Sequence, residues 1–273
     1  MTSSAGYAEV IGDPIAHSKS PAIHSFWLRK LGLDFDYGAT QVDRGGLQDF
    51  IRQRRDDVRW RGCNVTMPLK LDALMLAEGA SDRAIAAGAA NLLLPKDGAL
   101  LAGNTDVGGV LHLLGQMLQK QGADAGVTVL GNGGAARAVL VALRMTAVAT
   151  VRIQARDLSA AYKLAVEFGL SEQPRSFDQP IDSDGLVNAT PLGMAGVAPF
   201  AIDISRMPAK GWVFDMVTEP TDTPLLRSAR ERGLATIDGL AMLVEQAADS
   251  FRLLFAAEPP RQHDTELLLT LRP

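Results

Sequence analysis

The sequence predicts an α/β protein built as two domains, on three observations. Its 273 residues are near twice the usual single-domain length. Short apolar, strand-like runs alternate with helix-like runs, and a glycine-rich turn joins one such strand to a long helix at 127–137. Composition fits an ordinary globular chain, since 47% apolar and 21% charged residues can bury a core without staples. A net charge of −4 carries no basic excess, which argues against nucleic acid or an anionic membrane as partner. The single cysteine, Cys63, rules out an internal disulfide, suits a reducing compartment and reads as a small buried hydrophobe. There is no basic-then-apolar leader and no run of ~18 uncharged apolar residues, so a cytoplasmic protein without a membrane span is expected.

Taken in order, Tyr7 to Ile11 reads as a strand and Pro21 to Lys30 as a helix. Phe35 to Val42 and Gly62 to Val65 read as strands, with a helical stretch from Leu47 to Gln53 between them. The basic run from Arg52 to Arg61, interrupted by Asp56 and Asp57, reads as a solvated helix face. Ala84 to Gly88 is helical, Ala90 to Leu94 and Leu100 to Ala102 form a hairpin about Asp97-Gly98, and Val107 to Gln119 is a long helix. A second unit opens after Gly122. It runs through a strand at Val127 to Leu130, a turn at Gly131 to Gly134 and a helix at Ala135 to Met145. A strand at Val151 to Ala155, a helix at Ser159 to Phe168 and strands at Gly185 to Ala189 and Trp212 to Met216 follow. Leu243, Ala247, Phe251 and Leu254 recur at helical spacing within Leu240 to Phe255. The expected division is a substrate domain over 1–105, completed by 241–273, and a Rossmann-like dinucleotide domain over 106–240. The first carries a mostly parallel sheet, and the C-terminal helices pack back on it.

Polar residues cluster where apolar runs end, which is where α/β sheets keep their ligand sites. Ser18 and Ser20, at the opening of a helix, can hold an anion such as a carboxylate, but Ser20 before Pro21 is equally an ordinary N-cap. Asn64, Thr66 and Lys70 set an amide, a hydroxyl and an amine beyond another strand, and Asp106 either caps the long helix or faces a ligand. In the turn, Gly131 permits the tight bend, Gly133 admits a pyrophosphate and Ala136 is the third small residue of a dinucleotide fingerprint. The second strand ends Ala155-Arg156-Asp157, which offers both the arginine that suits the 2′-phosphate of NADP and the carboxylate that suits the 2′-hydroxyl of NAD. The residues alone leave that choice open. His17, His24, His112 and His263 are too dispersed for a metal cluster, and no metal is expected.

At these residues the sequence resembles the shikimate dehydrogenase family. The matching blocks are Ile11-Gly-Asp-Pro-Ile-Ala-His-Ser-Lys-Ser-Pro-Ala-Ile-His24, Gly62-Cys-Asn-Val-Thr-Met-Pro-Leu-Lys70, Ala90-Asn91 and Gly103-Asn-Thr-Asp-Val-Gly108. The turn at Gly131, Asn188-Ala-Thr-Pro-Leu-Gly-Met194, Asp215-Met-Val with Thr223-Pro-Leu-Leu226, and Asp238-Gly-Leu-Ala-Met-Leu-Val-Glu-Gln-Ala247 continue them in family order. The resemblance implies NADPH-dependent, reversible reduction of 3-dehydroshikimate to shikimate, a step of aromatic amino acid biosynthesis, at a site in the cleft between the domains. It implies Lys70 as the catalytic group paired with Asp106, and Ser18 and Ser20 on the substrate carboxylate. It implies Asn64, Thr66, Asn91, Asp106 and Gln246 on ring hydroxyls. On the cofactor side it implies Gly131, Asn132, Gly133, Gly134 and Ala135, then Ala155, Arg156 and Asp157, Met216, Gly239, and Asp82 near the nicotinamide.

Several positions depart from the family. Leu92 follows Asn91 where threonine is usual, and Asn132 stands for alanine. Ala160 replaces a second basic residue beyond Arg156, so NADP is expected with NAD still open. Thr218 replaces the tyrosine that follows Asp-Met-x beside the substrate, which bears on turnover and substrate choice. The competing readings are a quinate-using or dual-substrate dehydrogenase using NAD, and a weakly catalytic ligand-binding paralogue. Lys70 together with Asp106 argues against the paralogue. The expected partners are a small-molecule substrate, with no nucleic acid and no membrane, in a monomer or homodimer.

Overall fold

The computed structural model describes residues 5–121, 126–146, 148–198 and 200–272. They divide into two compact units, one running to Thr105 and resuming at Val244, the other spanning Asp106–Leu243.

In chain order the first unit begins with β1 (Gly6–Gly12), α1 (Ser20–Leu31), β2 (Phe35–Gln41), α2 (Leu47–Arg55) and β3 (Trp60–Val65). It continues with α3 (Lys70–Leu76), β4 (Gly79–Ala80), α4 (Asp82–Ala87), β5 (Leu92–Lys96) and β6 (Ala99–Gly103). Among the described residues these strands form a sheet in the order β2-β1-β3-β5-β6-β4. β2, β1 and β3 run parallel, and β5 reverses direction against β3. β6 turns back on β5 through Asp97 and Gly98, both at positive φ, the hairpin turn that an Asp-Gly pair favours. Ile11, Trp60, Val65, Leu69, Leu93 and Leu100 lie within one buried apolar cluster on this sheet. β1 is apolar throughout except Glu9, whose buried carboxylate is held by Arg54 Nε at 2.8 Å and by the Thr40 hydroxyl. The basic run is therefore more than a solvated face: Arg52 and Arg55 are exposed, but Arg54 reaches inward to that carboxylate. Arg61 lies already in β3.

The second unit starts with α5 (Asp106–Gln121), β7 (Gly126–Leu130), α6 (Gly134–Arg144), β8 (Thr150–Gln154) and α7 (Leu158–Phe168). β9 (Gly185–Asn188), β10 (Trp212–Asp215), α8 (Pro224–Glu231) and β11 (Ala235–Ile237) complete its sheet, in the order β11-β10-β9-β7-β8. All of these pairings are parallel, and β9 and β10 are buried at every residue, as strands covered on both faces must be. α9 (Gly239–Phe255) leads out of this unit, and its residues from Val244 on belong to the first, as does α10 (Asp264–Leu271). No helix among the described residues is long and apolar enough to cross a membrane.

Candidate active site

The sheet of the first unit gathers amide and hydroxyl side chains where β3 ends and β5 begins. Asn64, the penultimate residue of β3, is buried, and its Oδ1 accepts from the Tyr37 hydroxyl at 2.7 Å. Its Nδ2 donates to Ser250 Oγ at 2.8 Å and to the Asn91 carbonyl at 3.3 Å. Asn91 is itself buried and locked to Thr105: Asn91 Nδ2 donates to Thr105 Oγ1 at 2.9 Å, and the Thr105 N–H donates to Asn91 Oδ1 at 2.7 Å. Gln246 Oε1 lies 3.4 Å from Asn91 Nδ2 and 3.3 Å from Thr105 Oγ1. Thr105 Oγ1 and Ser250 Oγ are 3.0 Å apart. Gln246 and Ser250 are four residues apart on α9, so one helix face delivers both.

The other residues expected on the substrate side lie at the ends of neighbouring elements. Lys70 opens α3, and its carbonyl accepts from the Ala90 N–H at 2.8 Å, which sets the start of α3 beside Asn91. Asp106 directly follows Thr105 and is the first residue of α5, buried at 6% exposure rather than a solvent-facing cap. Thr66 is half-buried past the end of β3, with its N–H donating to the Ile11 carbonyl. Ser20 is buried as the first residue of α1, and the cap position falls to Lys19, which makes no side-chain capping bond. The N-cap reading of Ser20 is therefore corrected. Ser18 Oγ accepts from the Ser20 N–H at 3.3 Å, so the two hydroxyls lie on one turn. Asp82 is exposed at the first position of α4, behind the Ser81 cap.

The second unit carries the glycine turn. Gly131 has φ 105°, and a Cβ there would lie 2.8 Å from Thr190 Cγ2, so both the bend and the packing demand glycine. At Gly133 nothing lies within 4 Å of where a Cβ would stand. Gly134 and Ala135 are the first residues of α6, whose N-terminus has neither a side-chain cap nor an acidic residue in its first turn. A helix N-terminus without a side-chain cap, led by a glycine whose Cβ would meet nothing and with no carboxylate in its first turn, fits the pyrophosphate of a dinucleotide. Asn132 lies in the turn, with its Nδ2 3.5 Å from the Asp157 carbonyl.

Past β8, Ala155 is buried and Arg156 is exposed. Asp157 is the N-cap of α7, its Oδ1 accepting from the Ala160 N–H at 3.0 Å. Its carboxylate thus already has a structural task. Met216 donates its N–H to the Asn188 carbonyl at 3.0 Å, and Thr218 is half-buried in the same loop. A Cβ at Gly239 would lie 2.2 Å from the Val217 carbonyl oxygen, so α9 must begin on glycine to pass this loop. Buried Asp215 anchors the loop through Asn188 Nδ2 at 2.9 Å, Thr223 Oγ1 at 2.6 Å and the Val217 N–H at 3.1 Å. Burial raises its pKa, against the opposing pull of these three donors.

The structure thus brings Asn64, Asn91 and Gln246 into one bonded cluster and pairs Ser18 with Ser20. Tyr37, Thr105 and Ser250 belong to that cluster and were not among the expected site residues. Ser250 had a signal, its spacing of four from Gln246, and Thr105 directly precedes Asp106, a residue already singled out. Tyr37 had none. Among the described residues no group of three or more His, Cys, Asp or Glu could hold a metal ion.

Residues 10–93 match the model of the shikimate dehydrogenase substrate binding domain. A shikimate dehydrogenase (NADP(+)) of Sphingopyxis alaskensis is 45% identical, over 96% of this chain and 95% of its own. The crystal structure of a shikimate 5-dehydrogenase from Thermus thermophilus, solved with NADP(H) and shikimate, superposes with TM-score 0.85 at 34% identity, covering 97% of this chain and 99% of that one. A ligand-free 5-ketofructose reductase of Gluconobacter superposes with TM-score 0.82 at 26% identity, covering 98% and 99%.

Proposed function

Since the chain belongs to the shikimate dehydrogenase family, we propose that it catalyses the reversible, NADPH-dependent reduction of 3-dehydroshikimate to shikimate, a step towards the aromatic amino acids. The observation that carries this reading is the buried cluster of Asn64, Asn91, Thr105 and Gln246. Amides and hydroxyls held in fixed orientations by their bonds to one another present their remaining donors and acceptors in set directions, which suits a polyhydroxylated ring.

In this reading Asn64, Thr66, Asn91, Asp106 and Gln246 bind ring hydroxyls, with Thr218 in the same neighbourhood. Ser18 and Ser20 bind the carboxylate through two hydroxyls on one turn. When bound, NADPH supplies a hydride to the carbonyl carbon. Lys70 then does two things: its ammonium stabilises the negative charge developing on the carbonyl oxygen, and its Nζ gives that oxygen the proton that completes the alcohol. Asp106 is the carboxylate paired with Lys70 in this reading. For NADP, Gly131 to Ala135 hold the pyrophosphate, Arg156 meets the 2′-phosphate, and Ala155, Asp157, Met216, Gly239 and Asp82 complete the cofactor contacts. Exposed Arg156 beside a carboxylate already committed to capping supports the phosphate over the bare ribose. A buried free cysteine supports a reducing compartment, so the cytoplasm is the proposed location, with a monomer or homodimer as the working form.

A spectrophotometric assay crossing shikimate and quinate with NADP and NAD tests the substrate and cofactor together. The highest specificity constant is expected for shikimate with NADP, and a quinate or NAD preference overturns the corresponding half of the reading. Lys70→Ala should cut turnover by ~10²–10⁴-fold with shikimate affinity little changed. A variant that keeps more than about a tenth of wild-type turnover removes Lys70 from the proton step.

A further inference from the structure

Backbone groups, which cannot exchange donor and acceptor roles, fix the amide orientations of the buried cluster at two points. The Asn91 carbonyl can only accept, so the Asn64 atom beside it is the NH2, and Asn64 Oδ1 faces Tyr37. The Thr105 N–H can only donate, so Asn91 turns its oxygen to that group and its NH2 to Thr105 Oγ1. The Gln246 atom facing that same NH2 must then be its oxygen. Tyr37 thus donates to Asn64 and Asn64 to Ser250, while Thr105 and Ser250 share a hydrogen bond in which either hydroxyl can donate, with Gln246 Oε1 as the other acceptor in reach of Thr105. Burial raises the Tyr37 phenol well above its usual pKa, so it remains a donor at any working pH. Its ring is held flat against His24, centroids 4.0 Å apart and planes 6° from parallel.

We propose that Tyr37 and Ser250 are positioning residues that fix the hydrogen-bond polarity of the substrate pocket, so that Asn64 meets a ring hydroxyl only as an acceptor and Gln246 meets its group as a donor. This rests on the substrate reading above. Asn64 has committed both N–H bonds, to Ser250 and to the Asn91 carbonyl, and Tyr37 occupies one lone pair of its oxygen. The second lone pair is what it offers. Gln246 turns its oxygen inward and so meets a ligand with its NH2. The pocket would then discriminate by the direction of each hydrogen bond as well as by shape.

Fluorine accepts weakly and cannot donate, so shikimate analogues with one ring hydroxyl replaced by fluorine read this polarity. Measured as competitive inhibitors of shikimate oxidation, one analogue should bind wild type roughly 5–20-fold more weakly than shikimate, the equivalent of one hydrogen bond to a buried acceptor. The analogue at the Gln246 position should lose less than about a third of that factor. Tyr37→Phe keeps the stack on His24 and removes one donor. It should raise the shikimate KM roughly 5–20-fold, leave the NADP KM within about 2-fold, and shrink the penalty of the weak analogue. Ser250→Ala should do the same by releasing the Asn64 NH2. Equal binding of all the analogues to wild type overturns the polarity. A Tyr37→Phe or Ser250→Ala enzyme with an unchanged shikimate KM, or with both KM values raised alike, overturns the positioning role. Asn64→Ala with an unchanged shikimate KM overturns the substrate reading itself, and this inference with it.

Discussion

His24 has no solvent exposure and packs among the rings of Trp27, Tyr37, Phe251 and Phe255, none of them charged. Neither of its ring nitrogens bonds a described residue, and burial holds its pKa down to about 3. The folded state therefore keeps the ring neutral, whereas the unfolded chain protonates it below about 6.5. Between those two values unfolding takes up a proton. This contribution to stability is complete above pH ~6.5 and is lost as pH falls towards 3. Each pH unit in the window costs about 1.4 kcal/mol, relative to a chain lacking the ring. His24→Phe preserves the stack and cannot titrate. Chemical denaturation at pH 6 and pH 4 should show the variant gaining about 2–3 kcal/mol on wild type between them, and a constant difference refutes the assignment. The sequence could not show this: it presented His24 only as one of four scattered histidines, because its neighbours Tyr37 and Phe251 come from distant segments. Residue roles tied to a turn, such as Gly131, were legible because their geometry is local.

At the scale of the element, the N-terminus of α7 separates two effects that the sequence left entangled. The sequence offers Asp157 as a partner of the NAD ribose, yet its carboxylate caps the helix. Asp157→Ser retains an oxygen for the cap and removes the charge. It should lower the NADP KM with the melting temperature nearly unchanged, whereas Asp157→Ala should cost about 1 kcal/mol of stability through the lost cap. Arg156→Ala should damage NADP use far more than NAD use. Steady-state kinetics with both cofactors checks this, and equal losses remove Arg156 from the phosphate. Long elements were legible from their periodicity, but several short ones were not. α8 carries a readable start in Thr223 before Pro224, with Thr223 Oγ1 accepting from the Leu226 N–H, and is not among the expected helices. α3 leaves Leu71 and Met75 exposed, so its apolar residues trace no buried stripe. β4 and β11 span two and three residues, too few for alternation to register.

Across the whole molecule, the alternation of strand and helix was enough to read an α/β class, and the Asp97-Gly98 hairpin already implied the one strand that reverses the first sheet. The side-chain cluster was legible only in part, because its bonds join positions 14 to 186 residues apart. That separation also bears on the order of events during synthesis. Thr105 leaves the ribosome well before Gln246 and Ser250 exist, and at ~5–20 residues per second the interval is roughly 7–30 s. For that time Asn64 and Asn91 lack their α9 partners, while the whole second sheet, from β7 to β11, emerges in one uninterrupted stretch. Nascent chains stalled when Leu243 has just cleared the ribosome should therefore show a protease-resistant second unit and a first unit still open to cleavage. Release of the remaining residues should close it. Resistance of both units at the stall point would mean that the first does not wait for α9. On this account α9 is the segment that brings the first unit to its finished form, which leaves the nascent chain without a complete Asn64–Gln246 cluster until that helix has emerged.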